Sequence, residues 1–182
     1  MISVTDPVNE PDAYRRMLLG ALGEGDPVVV LGGGPAAARQ VIEASGSLLR
    51  LRPEAGEWSV LECLAHMTDS DLIAGARMRW IAAEDEPDIV GYDQALWVSE
   101  LRQNEDDPDL LLATFSTLRR WNLDFWARLP VASRGRVGRH RERGAESIDL
   151  TFRLMAGHDL IHLDQARRAL AVARDMPEAA NA

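Results

Sequence analysis

Three of the four histidines occupy positions that suit a metal site. His158 and His162 are four residues apart, so on a helix they share one face. Their neighbours on that face, including Leu154 and Ile161, are apolar, and an imidazole buried there is costly unless its nitrogens find partners. His66 lies on the apolar side of a second helical pattern. If the two helices are neighbours, the three imidazoles converge in the core.

Three histidine ligands define the chemistry expected at such a site. Neutral imidazole nitrogens suit zinc, nickel or another first-row divalent ion. Three protein ligands leave at least one coordination position open, as in catalytic rather than structural sites. That position accepts water or a thiol, and the ion lowers its pKa. The alternative for each histidine alone is a hydrogen-bonded core residue with no metal.

Three polar residues near the histidines are candidates for supporting roles. Asp69 follows His66 by three residues, and Asp159 precedes His162 by three. Either aspartate orients an imidazole, ligates the metal or accepts a proton, or is simply a solvated helix residue. Gln165, one turn beyond His162 on the buried face, is better placed to hydrogen-bond an imidazole.

Other polar residues offer a substrate-binding role. Asn122 interrupts an apolar stripe, so it either hydrogen-bonds within the core or faces a pocket. The stretch Arg134 to Arg143 carries five arginines and one acid, a charge of +4 in a chain of -9. It is either a solvated connection or a surface that attracts an anionic thiol or substrate, with Arg139, His140 and Arg141 at its centre. Cys63 and the tryptophans, Trp58 among them, are interpreted as packing residues.

The elements that position these residues are predicted to be helical. Ser59 and Glu62 form a capping box that opens the helix of His66, and Ser147 is a plausible N-cap for the helix of His158. The predicted helical segments are 12–22, a short one opened by Asp26-Pro27, 35–44 after three glycines, 59–86, 94–101, 107–129 and 148–174. Residues 130–146 are predicted to be a loop. The pattern predicts an all-α four-helix bundle with a broken first helix and short extra helices.

Two rival motifs carry less weight. His158-Asp159-x-x-His162 is similar to the H-E-x-x-H of zinc proteases, but aspartate reaches less far than glutamate and no strand is evident to bind a peptide. Gly32, Gly34 and Ala37 match the spacing of a dinucleotide fingerprint, but no second strand follows.

The length and composition limit which classes of protein this chain could belong to. The 182 residues fit one domain, 12–174, between tails at 1–11 and 175–182. A single cysteine forms no intrachain disulfide, and no signal peptide or membrane span is evident, so the cytoplasm is the expected location. The net charge of -9 argues against nucleic acid and anionic membranes as partners.

Two stretches of sequence resemble a known family. Residues 56–66, which read G-E-W-S-V-L-E-C-L-A-H, and residues 157–165, which read G-H-D-L-I-H-L-D-Q, are similar to the DinB-like (YfiT-like) metalloenzyme family. The shared features fall on Trp58, Ser59, His66, His158 and His162. The turn 139–144 also resembles a His-x-x-x-Gly turn that many members carry, and the similarity spans roughly residues 36–174.

The resemblance implies a four-helix bundle that binds a divalent metal through His66, His158 and His162. Related proteins include transferases that use bacillithiol and isomerases that use mycothiol. The resemblance therefore favours a thiol-dependent S-transferase that acts as a homodimer on a small-molecule thiol and an electrophile. A metal-dependent hydrolase is the nearest alternative. A non-catalytic, stress-associated dimer with a structural or vestigial metal site is the third.

Overall fold

The structure is a computed structural model that describes residues 9–176. Six α-helices and three short strands follow one another along this part of the chain. They are α1 (Pro11–Leu22), α2 (Pro27–Ser45), α3 (Val60–Ala83), β1 (Asp88–Ile89), α4 (Gln94–Glu100), α5 (Pro108–Arg128), β2 (Val137–His140), β3 (Gly144–Ser147) and α6 (Ile148–Asp175). Of the predicted tails, residues 1–8 and 177–182 lie outside the described residues.

The four long helices form a bundle, which confirms the predicted fold class. Helices α2 and α3 each pack against both α5 and α6. Helix α2 therefore lies diagonally opposite α3, and α5 lies diagonally opposite α6. Apolar side chains between them, such as Leu31, Met78, Phe115 and Phe152, are fully buried. Helix α1 packs outside this core against α6 through Leu18 and Leu154.

Side-chain caps fix where the bundle helices begin, as the sequence predicts. Asp26 accepts a hydrogen bond from the Val28 amide at 2.8 Å at the start of α2. Asp107 does the same for α5 through two amides at 2.9 Å. Each of these aspartates precedes a proline, which suits the first helical position because its missing N–H has no intrahelical partner there.

The predicted break between α1 and α2 is present, but the prediction of a second break at the glycine triplet is wrong. Helix α1 ends at Leu22 and is capped by Gly23, which adopts a φ of +54°. Helix α2 then continues through Gly32–Gly34 and Pro35 without interruption. A proline inside a helix leaves the carbonyl four residues earlier without its donor. Arg119 on α5 supplies that donor, because its Nη1 donates to the Leu31 carbonyl at 2.9 Å.

The loop predicted at 130–146 is instead partly ordered as a hairpin. Strands β2 and β3 pair antiparallel, and β1 adds to β2 in parallel to make a three-stranded sheet. Gly144 opens β3 with a φ of +73°, a conformation that favours glycine. The prediction failed because strands of four residues are too short to show a clear alternating pattern.

Two further expectations bear on function. The candidate dinucleotide motif lies inside α2, so it lacks the strand that such a motif requires. Among residues 9–176, no helix is long and apolar enough to cross a membrane.

Candidate metal centre

The three candidate ligands meet in the interior of the bundle. His66 comes from the middle of α3, and His158 and His162 come from successive turns of α6. One ligating nitrogen from each histidine lies within 4.8 Å of the other two. The Nε2 atoms of His66 and His158 are 2.8 Å apart. Neighbouring helices therefore bring together what the sequence separates by almost a hundred residues.

Capped helix starts set the register of both ligand-bearing helices. At the start of α3, the Ser59 hydroxyl accepts from the Glu62 amide at 3.2 Å, and the Glu62 carboxylate accepts from the Ser59 amide at 2.9 Å. Glu62 is also bound by the Arg52 guanidinium. At the start of α6, the Ser147 hydroxyl accepts from the Leu150 amide at 3.0 Å. Both caps agree with the sequence prediction.

Burial keeps the three imidazoles neutral. The exposed fractions of His66, His158 and His162 are 1%, 5% and 1%. Burial, followed by neighbouring positive charge, lowers the pKa values of His66 and His158 well below the ordinary value. Burial also lowers the pKa of His162 to about 4, although a hydrogen bond from its ring to Gln165 opposes the shift. Neutral imidazoles present the lone pairs that a metal ion requires.

The hydrogen bond from His162 to Gln165 indicates which nitrogen of the His162 ring could bind a cation. His162 Nδ1 lies 2.8 Å from Gln165 Oε1. Because an amide oxygen only accepts, Nδ1 carries the proton and Nε2 carries the lone pair. That buried Nε2 has no hydrogen-bond partner within residues 9–176. An unpartnered lone pair beside two other imidazoles fits a divalent cation, and Gln165 fixes the tautomer that would ligate it.

Trp58 is a site residue that the sequence interpretation missed. Its ring centroid lies 4.9 Å from that of His66 and 5.8 Å from that of His162, nearly parallel to the second ring at 24°. Trp58 directly precedes the Ser59 cap at the start of α3. That position beside the capping box was the available signal, but its contact with α6 depends on the packing of distant helices.

The structure places Asp159 in a buried ion pair. Both Asp159 oxygens accept from Arg119, at 2.5 Å and 2.9 Å. The same guanidinium pairs with Asp71 at 2.8 Å, so one arginine bridges α3, α5 and α6. Burial raises the pKa of Asp159 to about 6, although Arg119 opposes that shift. Asp159 thus stabilises the segment around His158 rather than bonding to an imidazole.

The other supporting candidates lie away from the three rings. Asp69 is half-buried and accepts from Gln103 Nε2 at 2.5 Å. Asn122 is buried between helices and donates to the Asp71 carbonyl at 2.9 Å. The exposed Arg139 pairs with Glu86 at 2.6 Å, and Arg141 is also exposed. The structure does not bring these four candidates to the histidine cluster.

A cleft reaches the cluster from one side, and His158 forms part of its wall. It lies between α1, α3, α6 and the β2–β3 hairpin, with a cavity volume of about 70 Å³. This volume suits a few waters or the reacting end of a small molecule. Its polar lining includes Tyr14, Arg77, Tyr92, His140, Arg143 and Glu146. Of the predicted substrate-binding residues, His140 is the one that lines this cleft.

The basic stretch before α6 has mostly structural partners. Arg136 donates to the Ile81 carbonyl at 2.9 Å, and Arg134 lies over the Trp126 ring at 4.1 Å. Arg143 pairs with Glu146 at 2.7 Å. These contacts favour the interpretation of the stretch as a connection, since they occupy three of its five arginines.

Cys63 lies in the apolar core, as predicted. Its side chain packs among Val60, Ala166 and Leu170, and burial raises the pKa of the thiol. Such a thiol is inert as a nucleophile because the thiolate is the reactive form.

Comparisons with known proteins agree with this architecture. A protein of Oceanobacillus iheyensis named "Putative metal-dependent hydrolase OB0782" is 26% identical over 123 residues, which cover 68% of this chain and 71% of that protein. The structure of YfiT from Bacillus subtilis, described as "a probable metal-dependent hydrolase with an unusual four-helix bundle topology", aligns with a TM-score of 0.74 at 22% identity. That alignment covers 82% of this chain and 85% of YfiT, and it supports the fold. The family model of the DinB superfamily matches residues 35–166. The chain therefore belongs to the DinB superfamily.

Proposed function

We propose that this protein is a divalent-metal-dependent enzyme of the thiol-dependent S-transferase type. His66, His158 and His162 hold the ion, with zinc or nickel as the preferred metal. The observation that carries the proposal is the buried cluster of neutral imidazoles, in which His162 Nε2 lacks a hydrogen-bond partner among residues 9–176. Without a cation, that lone pair would be buried at a cost in free energy.

The position of His158 supports a catalytic rather than a structural metal. His158 belongs both to the cluster and to the wall of the cleft. Three protein ligands leave a coordination position open. A bound divalent ion supplies a Lewis acid that lowers the pKa of water or of a thiol.

The surrounding residues prepare the site in three ways. Gln165 holds the His162 ring in the tautomer whose Nε2 is free to ligate. Trp58 covers the His66 and His162 rings and restricts access of water from its side. Arg119 fixes α3 against α6 and thereby holds the spacing between His66 and His158.

A thiol is the preferred nucleophile because of the family resemblance carried by residues 56–66 and 157–165. The cleft admits the reacting end of a small molecule, and its polar wall suits a substrate with hydrogen-bonding groups. Hydrolysis is the second candidate, favoured by the names of the relatives. We further propose that the protein acts in the cytoplasm as a homodimer, with residues 12–174 as its single domain.

Metal content tests the site. The purified protein is expected to contain about one divalent ion per chain, and His158→Ala is expected to lose it. His140→Ala is the matched control, because His140 is also buried but lies outside the cluster. Equal metal in the wild type and His158→Ala, or a wild type that takes up no metal and gains no thermal stability from added zinc or nickel, would refute the site.

Turnover separates the candidate functions. S-transferase activity predicts metal-dependent consumption of a thiol, such as cysteine or glutathione, with 1-chloro-2,4-dinitrobenzene. Hydrolase activity predicts release of nitrophenol from 4-nitrophenyl acetate without a thiol. A stoichiometric metal with neither activity would favour the non-catalytic bundle. Light scattering on the purified protein tests the dimer.

A further inference from the structure

Arg77 is a buried arginine that the metal site does not use. It lies on α3, is 7% exposed and lines the same cleft as His158. Its Nη2 donates to the Val90 carbonyl at 2.7 Å, but its Nε is buried without a hydrogen-bond partner in the part of the chain that the structure describes. The Tyr92 ring centroid lies 6.0 Å from the guanidinium carbon, at the outer limit of a cation–π contact. The guanidinium therefore keeps donor capacity for a further acceptor.

The carboxylates near Arg77 form no ion pair with it. Glu146 is bound by Arg143, at 2.7 Å, and by the Thr151 hydroxyl, at 3.1 Å. Glu142 lines the cleft, but among residues 9–176 its carboxylate makes no ion pair with an arginine. Burial, followed by the charge of Arg143, lowers the pKa of Arg77, although a guanidinium keeps its proton at neutral pH. Arg77 is thus a positive charge in the cleft wall that no salt bridge compensates.

His140 adds a second unpaired donor to the same cleft. It lies on β2, is 3% exposed, and its Nδ1 accepts from the Glu142 amide at 3.3 Å. The Glu142 carboxylate lies 3.0 Å from the same nitrogen, but not in the geometry of a hydrogen bond. Burial, followed by Arg143 and Arg77, lowers the pKa of His140 to about 4, so the ring is neutral and its one proton is on Nε2. That Nε2–H has no hydrogen-bond partner among residues 9–176.

Two orphaned N–H donors and an uncompensated charge favour an anionic acceptor. A buried donor without an acceptor costs free energy, so a molecule that supplies the acceptor is bound preferentially. A carboxylate matches this wall better than a neutral amide or alcohol does, because it offers two acceptor oxygens and the opposite charge to a planar guanidinium.

The two donors lie away from the metal ligands along the bundle. Arg77 follows His66 by about three turns of α3 on the same face, a rise of about 16 Å. The cleft wall follows α6 from His158 past Met155 to Thr151, a rise of about 10 Å. A molecule that fills the cleft therefore has one end at the histidine cluster and the other end at the unpaired donors.

We infer that Arg77 and His140 bind the carboxylate of a small-molecule substrate. This inference rests on the proposed function, because the reacting group of the same molecule lies at the His158 end of the cleft. The Arg77 guanidinium forms an ion pair with the carboxylate, and His140 Nε2 donates a second hydrogen bond to it. The substrate is thus a carboxylic acid whose thiol or electrophilic group is several bonds away from the carboxylate. These two residues select the substrate by its end that does not react.

Propionate binding to the purified protein tests the site without turnover. In ¹⁵N NMR titrations, the Arg77 Nε–H and His140 Nε2–H signals are expected to shift saturably with propionate but not with propionamide, which has a similar shape and no charge. Arg77→Met is expected to lose the shift at His140. Arg139→Met is the matched control, because Arg139 is exposed and pairs with Glu86 outside the cleft. No shift in the wild type, equal shifts with both probes, or an unchanged shift at His140 in Arg77→Met overturns the inference.

Two further variants separate the site from its alternatives. Arg77→Lys keeps the charge but lacks the Nε donor and the planar fork, so propionate is expected to bind about tenfold more weakly. Wild-type affinity in this variant overturns the inference, also where Arg77→Met does not fold. Glu142→Gln removes a negative charge from the cleft wall and is expected to tighten propionate binding. Binding that is found only in Glu142→Gln shows that Glu142 neutralises Arg77 and overturns the inference.

A pair of thiols tests the same selection in turnover. 6-Mercaptohexanoate and 6-mercapto-1-hexanol differ only at the end remote from sulfur, and both react with 1-chloro-2,4-dinitrobenzene. KM is expected to be at least about tenfold lower for the acid with a similar kcat, and Arg77→Met is expected to remove the difference. Equal KM values in the wild type overturn the inference. No turnover of either thiol refutes the S-transferase instead, and the propionate titration then decides the carboxylate site by itself.

Discussion

Removal of the buried arginine is the sharpest test of how the bundle holds the site. Arg119 is 2% exposed and pairs with Asp71 and Asp159, whose side chains are 0% and 3% exposed. Arg119→Met keeps most of the side-chain volume but removes the charge and every donor. Two carboxylates then remain buried without a cation, and the Leu31 carbonyl loses its donor.

The expected loss of stability follows from these contacts. Removing one partner of a buried ion pair costs about 3–5 kcal/mol. Leaving a buried carbonyl unsatisfied adds about 1–3 kcal/mol. The two losses sum to about 4–8 kcal/mol, and a domain of this kind has about 5–15 kcal/mol in total, so Arg119→Met is expected to lose a large share of its stability.

Urea unfolding followed by far-ultraviolet circular dichroism measures this loss. Arg128→Met is the matched control, because Arg128 lies on the same helix and pairs with Asp124 at 2.8 Å, but with side chains 66% and 57% exposed. An exposed pair of this kind contributes about 0.3–0.5 kcal/mol. Adding Asp159→Asn to Arg119→Met is expected to restore part of the stability by removing one uncompensated charge.

Protonation gives a second check on the same reasoning. Without Arg119, a proton can neutralise Asp159, whose pKa burial already raises to about 6. The difference in stability between wild type and Arg119→Met is therefore expected to be smaller at about pH 5 than at about pH 8. If Arg119→Met loses no more stability than Arg128→Met, or if the difference between wild type and Arg119→Met grows as the pH falls, the buried ion pair does not stabilise the bundle in this way.

Three further perturbations test other parts of the structure by the same unfolding measurement. Gly157→Ala places a methyl group against the Leu18 carbonyl of α1 and is expected to cost at least about 1–3 kcal/mol, and a neutral result would mean that α1 does not pack there. Ser59→Ala removes the N-cap of α3 and is expected to cost about 1 kcal/mol; no change would mean that the capping box is not formed. The metal-free protein is expected to lose stability as the pH falls from about 6.5 to about 4, because His162 is protonated in the unfolded chain before it is in the folded one. Asp159 acts in the opposite direction, because its pKa in the folded protein is about 6 and lies above the ordinary value. His162→Gln removes the contribution of His162 and is expected to reduce the loss of stability in acid. An unchanged pH profile would contradict the burial of His162.

The helix starts and the shared face of His158 and His162 can be predicted from the sequence, because they depend on residues close together in the chain. Ser59 with Glu62, and Asp107 with Pro108, need no distant partner to be recognised. The spacing of His158 and His162 fixes their shared face once a helix is assumed. That α3 and α6 are neighbours was an inference from bundle architecture, and the structure places His66 accordingly.

The features that the sequence could not predict depend on distant partners. The sequence shows Asp159 as a polar residue beside a candidate ligand, but its partner Arg119 lies 40 positions away on α5. Trp58 reaches His162 only because α3 and α6 are packed together. The Glu142–His140 contact needs a hairpin whose strands are too short to have a sequence pattern of their own.

The bond from Arg119 to the Leu31 carbonyl makes one part of α2 depend on the rest of the bundle. Three glycines at about 1 kcal/mol each and Pro35 at about 3 kcal/mol disfavour a helix in the middle of α2 by about 6 kcal/mol. A Cβ at residue 34 would also collide with Arg119 and Asp159, so the glycine that weakens the helix is the one that admits the ion pair. The N-terminal half of α2 is therefore expected to keep its helical conformation only while α5 and α6 are packed against it.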